Sequence, residues 1–194
     1  MSLEQNDKMV IPLSKTKLTL LLFGSLAFVA GSIWIWSIAD TQNRYDPLFM
    51  KGVALAGVFF FGLCGLYLCI KIFDRKPGLV IDAEGIVDNS SLTAAGRIPW
   101  EDIVGFKVYP VAGQKQLVIE VLDPQKYVKR GGTFKRMWNT ANTKRAGSPI
   151  IITSNALQIE FDRLVSILTQ SLSRYRKTGQ ATQRTGAAFR DSEA

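Results

Sequence analysis

The chain has 194 residues, 47% of them hydrophobic, with 24 basic and 16 acidic side chains and a formal net charge of +8. It contains no histidine, which excludes Ser-His-Asp and Cys-His catalysis and removes the commonest metal ligand. Its two cysteines, Cys64 and Cys69, stand five apart in one apolar run, on different faces of a helix, and imply no oxidising compartment.

Residues 1–17 read as a polar leader, in which Pro12 argues against a continuous helix. Leu18 to Ala39 is a run of 22 residues without a charge, and Gly52 to Ile70 is a second run of 19. At about 1.5 Å per residue these reach roughly 33 and 28 Å, against a hydrocarbon core of about 30 Å. They predict transmembrane helices over 18–39 and 52–73, joined by an external loop over 40–51. Lys15, Lys17 and Ser37-Ile38-Ala39 also resemble the flanks of a signal peptide. The run is too long for that, however, and it ends in Trp34 and Trp36, whose indoles suit the membrane–water interface. An uncleaved anchor is expected. Cys64 and Cys69 are read as small apolar fillers, with palmitoylation of Cys69 as the alternative.

Gly24, Ala27 and Gly31 share one face of the first helix, and Gly57, Gly62 and Gly65 supply small positions on the second. Small faces let helices approach closely, so these residues are expected to pack the hairpin. The same faces also allow a homo-oligomer. Lys8, Lys15 and Lys17 precede the first span and Lys71, Arg75 and Lys76 follow the second, whereas the loop holds only Arg44 and Lys51. That asymmetry predicts a multi-pass protein with both termini cytoplasmic and the loop outside.

Lys76-Pro77-Gly78 opens a soluble domain expected over 77–177. Leu79-Val80-Ile81 and Ile86-Val87-Asp88, around the turn Asp82-Ala83-Glu84-Gly85, read as a β-hairpin. Ile103 to Tyr109 and the alternating Gln116 to Leu122 read as further strands. Residues 125–147 form a basic insertion holding Lys126, Lys129, Arg130, Lys135, Arg136, Lys144 and Arg145 with no acidic residue, interleaved with Tyr127, Phe134, Met137 and Trp138. Pro149 to Thr153 is a last strand. Phe161, Leu164, Val165, Leu168, Leu172 and Tyr175 then recur at helical spacing and predict an amphipathic helix. Residues 178–194 lack an apolar period and are expected to be a disordered tail.

The fold expected is therefore a membrane α-helical hairpin plus an α+β domain, a curved sheet capped by the C-terminal amphipathic helix. Leu79-Val80-Ile81-Asp82-Ala83-Glu84-Gly85-Ile86 and Gly96-Arg97-Ile98-Pro99-Trp100-Glu101-Asp102-Ile103 resemble the opening elements of bacterial pleckstrin-homology-like domains. Two N-terminal spans followed by such a domain resemble a family of small bacterial inner-membrane proteins. The resemblance implies a curved antiparallel sheet or partly open barrel. It also implies a binding or scaffolding module without catalytic residues or cofactors.

No metal-ligand set is seen, and Gly131-Gly132 lacks the Lys-Ser/Thr ending of a phosphate loop. The expectation is a non-enzymatic, membrane-anchored module. Lys126, Lys129, Arg130, Phe134, Lys135, Arg136, Trp138, Lys144 and Arg145 are expected to contact anionic lipid headgroups, a protein partner, or both. The alternative is an accessory subunit of a larger inner-membrane complex, assembled through the spans. Nucleic acid is not expected, because no reading motif accompanies the charge.

Overall fold

The computed structural model describes residues 8–111 and 113–191, with side chains through Gly179. It divides into two compact units. One is Ser14–Arg75; the other joins the segment ending at Leu13 to the chain from Lys76 onward.

The first unit is a helical hairpin of α1 (Lys15–Ile38) and α2 (Pro47–Phe73). Their 24 and 27 residues reach about 36 and 40 Å at 1.5 Å per residue, long enough to cross a bilayer. Only 17% and 11% of their most apolar stretches are buried within the protein, unlike the core helix of a soluble domain. α2 begins ahead of the uncharged run because Asp46 accepts the Phe49 N–H (2.8 Å) and Pro47 fills the first helical position. Lys51 pairs with Asp40 at 2.7 Å across the connecting loop.

Ser25 and Ser32 of α1 are buried, and each donates its hydroxyl to a carbonyl of its own helix, Leu22 and Phe28, at 2.8 Å. A hydroxyl bound in this way leaves a small, satisfied surface for a neighbouring helix. The facing positions on α2 are Gly57 and Gly65. A Cβ at Gly57 would stand 2.4 Å from the Ser32 Oγ, and one at Gly65 would stand 3.1 Å from the Ser25 Oγ. Phe28 and Phe61 stack beside them with ring centroids 4.4 Å apart. The expected packing face therefore divides. Gly57 and Gly65 lie in the contact, while Gly24, Gly31 and Gly62 have open space where a side chain would stand, and Ala27 is exposed. The buried positions of α1 recur every seven residues, at Leu18, Ser25 and Ser32. That is the period of a shallow left-handed crossing, and serine, not glycine, falls on it.

The second unit holds two antiparallel sheets that do not close into a barrel. The first contains β1 (Met9–Ile11), β2 (Leu79–Asp82), β3 (Gly85–Asp88) and β4 (Gly96–Pro99), in that order. The second contains β5 (Ile103–Val111), β6 (Gln114–Val121) and β7 (Ile150–Ile152). Two helices, α3 (Pro124–Val128) and α4 (Thr133–Ala146), lie between β6 and β7 in the chain, and α5 (Phe161–Asp191) follows.

β1 departs from the expected leader over 1–17. Met9, Val10 and Ile11 pair with Ile81, Val80 and Leu79. The Pro12 carbonyl accepts the Gln158 N–H at 3.0 Å, and Leu13 bridges to Leu157. Gly78 must be small here, because a Cβ would meet Leu157 at 2.4 Å and Leu13 at 3.0 Å. Pro12 does stop a continuous helix, but the residues before it extend a sheet formed mainly from chain nearly seventy residues later.

The β2–β3 turn is held by Asp82, whose carboxylate accepts the N–H groups of Glu84 and Gly85 at 3.0 and 3.1 Å and pairs with Arg97 at 3.0 Å. A side chain at Gly85 would strike the Ile98 carbonyl at 2.1 Å. Trp100, buried in a 3-10 turn after β4, donates its indole N–H to the Asp82 carbonyl (2.9 Å) and stacks near Tyr175 of α5. The stripe Leu164, Leu168 and Leu172 is buried, as the amphipathic period requires. Arg176 donates to the Val104 carbonyl at 2.7 Å, so α5 is tied to the edge of β5. The helix runs on to Asp191, through most of the stretch expected as a tail; residues 192–194 lie outside the described residues.

Candidate interaction site on the third and fourth helices

The basic insertion folds into α3 and α4. Asp123 caps α3 by accepting the Gln125 N–H at 2.9 Å, with Pro124 next to it. Gly132 precedes α4, and Gly147, in the left-handed conformation, ends it.

The cations separate into two groups. Lys126 donates to Asp102 Oδ2 (2.5 Å), which also accepts the Tyr127 hydroxyl at 2.6 Å. Arg130 donates to the Arg97 carbonyl at 2.8 Å and lies 4.2 Å over the ring of buried Tyr127. Lys135 donates to the Ala94 carbonyl, and Arg136 to the Lys129 carbonyl at 3.3 Å. Arg130 and Lys135 hold the insertion against β4 and the loop before it, Lys126 holds it to the turn after β4, and Arg136 ties α4 to the end of α3. Lys129, Lys144 and Arg145 are exposed, and among the described residues no hydrogen bond or ion pair engages their side chains.

Charge sets the chemistry of the bracing. The Lys126 ammonium and the Tyr127 hydroxyl hold the Asp102 carboxyl below the usual carboxylate range. Burial, and then the bond to Asp102, push the Tyr127 hydroxyl well above its ordinary value. Asn139 of α4 is also buried. It donates to the Tyr127 carbonyl at 3.2 Å, and among the described residues its own Oδ1 has no partner.

Asp88 shapes the neighbouring loop. This buried carboxylate accepts the Ser90 N–H (2.9 Å) and hydroxyl (2.6 Å) on one oxygen and the Ala95 N–H (2.9 Å) on the other. The 91–93 segment is thereby fixed as one wall of a groove of about 370 Å³. α4 forms the other wall with Phe134, Trp138, Asn142 and Arg145. The floor is the outer face of the second sheet, including Tyr109, Gln116, Ile151 and Thr153.

Of the nine expected contact residues, the structure thus brings Phe134, Trp138 and Arg145 to one groove. Lys129 and Lys144 stand free outside it, and Lys126, Arg130, Lys135 and Arg136 are braces. Phe134, Met137 and Trp138 are 52%, 62% and 49% exposed, high values for large apolar side chains in a folded domain. Sequence reasoning missed the floor residues and the 91–93 wall, which come from distant parts of the chain. No three His, Cys, Asp or Glu side chains among the described residues converge on a point where a metal ion would sit. Comparison with protein-family models, with curated proteins and with solved structures finds no match to this chain.

Proposed function

We propose that this chain is a membrane-anchored, non-enzymatic binding module whose soluble unit, a pleckstrin-homology-like domain, contacts anionic lipid headgroups, a protein partner, or both through α3 and α4. One observation carries the reading: α4 exposes Phe134, Met137 and Trp138, and Arg145, which lines the same groove as Phe134 and Trp138, has, like Lys129 and Lys144, no acidic partner among the described residues. Each Lys or Arg near an anionic leaflet contributes about 1 kcal/mol, and aromatic side chains sit well at the headgroup boundary. Two apolar helices supply the anchor. Pairing of β1 with β2, on either side of the hairpin in the chain, supports placing both flanks on one face of the membrane. Their six lysines and arginines against two in the loop favour the cytoplasmic face of a bacterial inner membrane.

The test uses the full chain in nanodiscs of neutral or anionic lipid, with Trp34→Phe and Trp36→Phe to remove the hairpin indoles. Brominated lipid is expected to quench Trp138 in anionic discs only. High salt, or charge reversal at Lys129 and Lys144, is expected to abolish the effect. Equal emission in both kinds of disc would sink the lipid contact.

A second reading makes the chain an accessory subunit assembled through its spans. It is favoured by Gly24, Ala27, Gly31 and Gly62, small positions that the hairpin contact leaves uncovered. Crosslinking in the native membrane that is lost on Gly24→Leu and Gly31→Leu, with the hairpin intact, would support it.

A further inference from the structure

We infer that the groove between α4, the 91–93 loop and the outer face of β5–β7 receives a short acidic segment of a partner protein, with an apolar side chain seated against the stacked rings of Phe134 and Trp138, whose centroids are 6.1 Å apart, and a carboxylate on Arg145. The inference rests on the binding-module reading and names the partner's chemistry.

Composition separates this groove from a lipid-reading surface. Tyr109, Phe134, Trp138 and Arg145 line it, and no Lys, Asp or Glu does. Aromatic residues and arginine are enriched at the cores of protein–protein interfaces, and Trp, Tyr and Arg dominate their hot spots, whereas Lys, Asp and Glu are depleted there. The free lysines nearest in sequence, Lys129 and Lys144, lie outside the lining. They would add long-range attraction for an acidic segment without entering the groove.

The remaining lining fits a peptide better than a hydrocarbon chain. Ser91, Thr93, Gln116, Asn142 and Thr153 place neutral hydroxyls and amides around the apolar surface of Leu92 and Ile151. A peptide backbone needs donors and acceptors along its length once it leaves water, and an acyl chain would leave these groups unpaired. The volume of about 370 Å³ is at the small end of ligand sites, which run from about 300 to 1,000 Å³, and suits a few residues and not a folded surface. The groove is also preformed. Asp88 fixes the 91–93 wall through three hydrogen bonds, and Lys135 holds Ala94 against α4. A preformed groove saves the ordering cost that otherwise opposes binding of a short segment.

The experiment places the full chain in nanodiscs of neutral lipid, so that it is independent of any contact with anionic bilayer. The probes are fluorescein-labelled, amidated hexapeptides of alternating leucine and glutamate, leucine and lysine, or leucine and serine, read by polarisation. The acidic peptide is expected to bind saturably and the lysine peptide at least about tenfold more weakly, the scale of one hydrogen bond to a charged group. Arg145→Glu should cost the acidic peptide a similar factor. Thr153→Phe, which fills the floor, should abolish binding. Lys129→Ala should change it by no more than about twofold, as expected for a rim charge. A thermal melt of each variant shows that the fold persists. The inference is overturned by no saturable binding of the acidic peptide, by equal binding of acidic and basic peptides, or by binding that survives both Arg145→Glu and Thr153→Phe. Loss of Trp138 quenching by anionic lipid with peptide binding intact would fail the lipid contact alone.

Discussion

Ile11→Ala should destabilise the soluble unit although Ile11 precedes the first apolar helix. Ile11 is 4% exposed and pairs with Leu79, itself fully buried. Truncating such a side chain to alanine costs about 2–5 kcal/mol. That is a large share of the roughly 5–15 kcal/mol by which a domain is stable. For a unit of this size the midpoint of thermal unfolding should fall by on the order of 10–20 °C. Met9→Ala is the internal control. Met9 lies in the same strand but is 43% exposed, so its truncation should stay within about 0.5 kcal/mol. The assay is near-ultraviolet circular dichroism of the full chain in detergent, with hydrogen exchange at Leu79–Asp82 to locate the effect. Faster exchange in β2 of the Ile11 variant, and not of the Met9 variant, is the expected signature. If Ile11→Ala melts with the parent and β2 exchanges unchanged, β1 is not part of the sheet and the argument for both flanks lying on one face of the membrane goes with it.

Two further outcomes follow from the packing. Tyr127→Phe removes the 2.6 Å bond to Asp102 and should cost about 1.5–3 kcal/mol at neutral pH, the scale for a hydrogen bond to a charged group. The folded Asp102 carboxyl is depressed by Lys126 and Tyr127. Its contribution is therefore fully present above the unfolded value near 3.9 and is lost as pH falls through the lower folded value. Denaturant melts across this range should show a smaller acid loss in Tyr127→Phe than in the parent. At the alkaline end the sign reverses. The folded Tyr127 hydroxyl is raised, so the parent should lose stability above about pH 10, where the unfolded phenol ionises and the folded one does not; the phenylalanine variant should lack that loss. In the hairpin, Gly57→Leu drives a side chain into Ser32, whose Oγ would lie 2.4 Å from the new Cβ. Spin labels on α1 and α2 should move apart, whereas Gly24→Leu, which has open space, should leave their separation unchanged.

The two apolar helices, the β2–β3 hairpin and the Leu164–Leu172 stripe were legible because each is written in local period. β1 was not. Met9-Val10-Ile11 is three residues long, and only its pairing with a strand nearly seventy residues away makes it a strand. Nothing in a local window distinguishes it from a leader. The hairpin contact was legible on α2, where Gly57 and Gly65 lie in it, but not on α1, where Ser25 and Ser32 face them. Glycine draws attention as the smallest side chain, yet Leu18, Ser25 and Ser32 stand at intervals of seven. A serine that binds its own helix backbone offers nearly as flat a surface.

The basic insertion shows most clearly why composition stops short of a site. A run of cations with no acid reads as an electrostatic surface only if the cations are free. Here Lys126 meets Asp102, a residue 24 positions earlier, while Arg130 and Lys135 meet backbone carbonyls of Arg97 and Ala94. None of those acceptors is visible within the insertion, and two are not side chains at all. Charge reversal across the whole segment would therefore confound two effects, loss of a contact surface and collapse of the wall that forms it. The informative substitutions are the ones the fold separates: Lys129, Lys144 and Arg145 for recognition, Arg130 and Lys135 for architecture. Lys135→Met makes the distinction concrete. It keeps an extended apolar stem but removes the donor to Ala94, so it should speed hydrogen exchange in residues 91–95 and weaken occupancy of the groove. Lys144→Met removes the same charge from α4 and should leave exchange in that loop unchanged. Equal exchange in the two variants would mean that Lys135 is as free as Lys144 and that the groove wall stands without it.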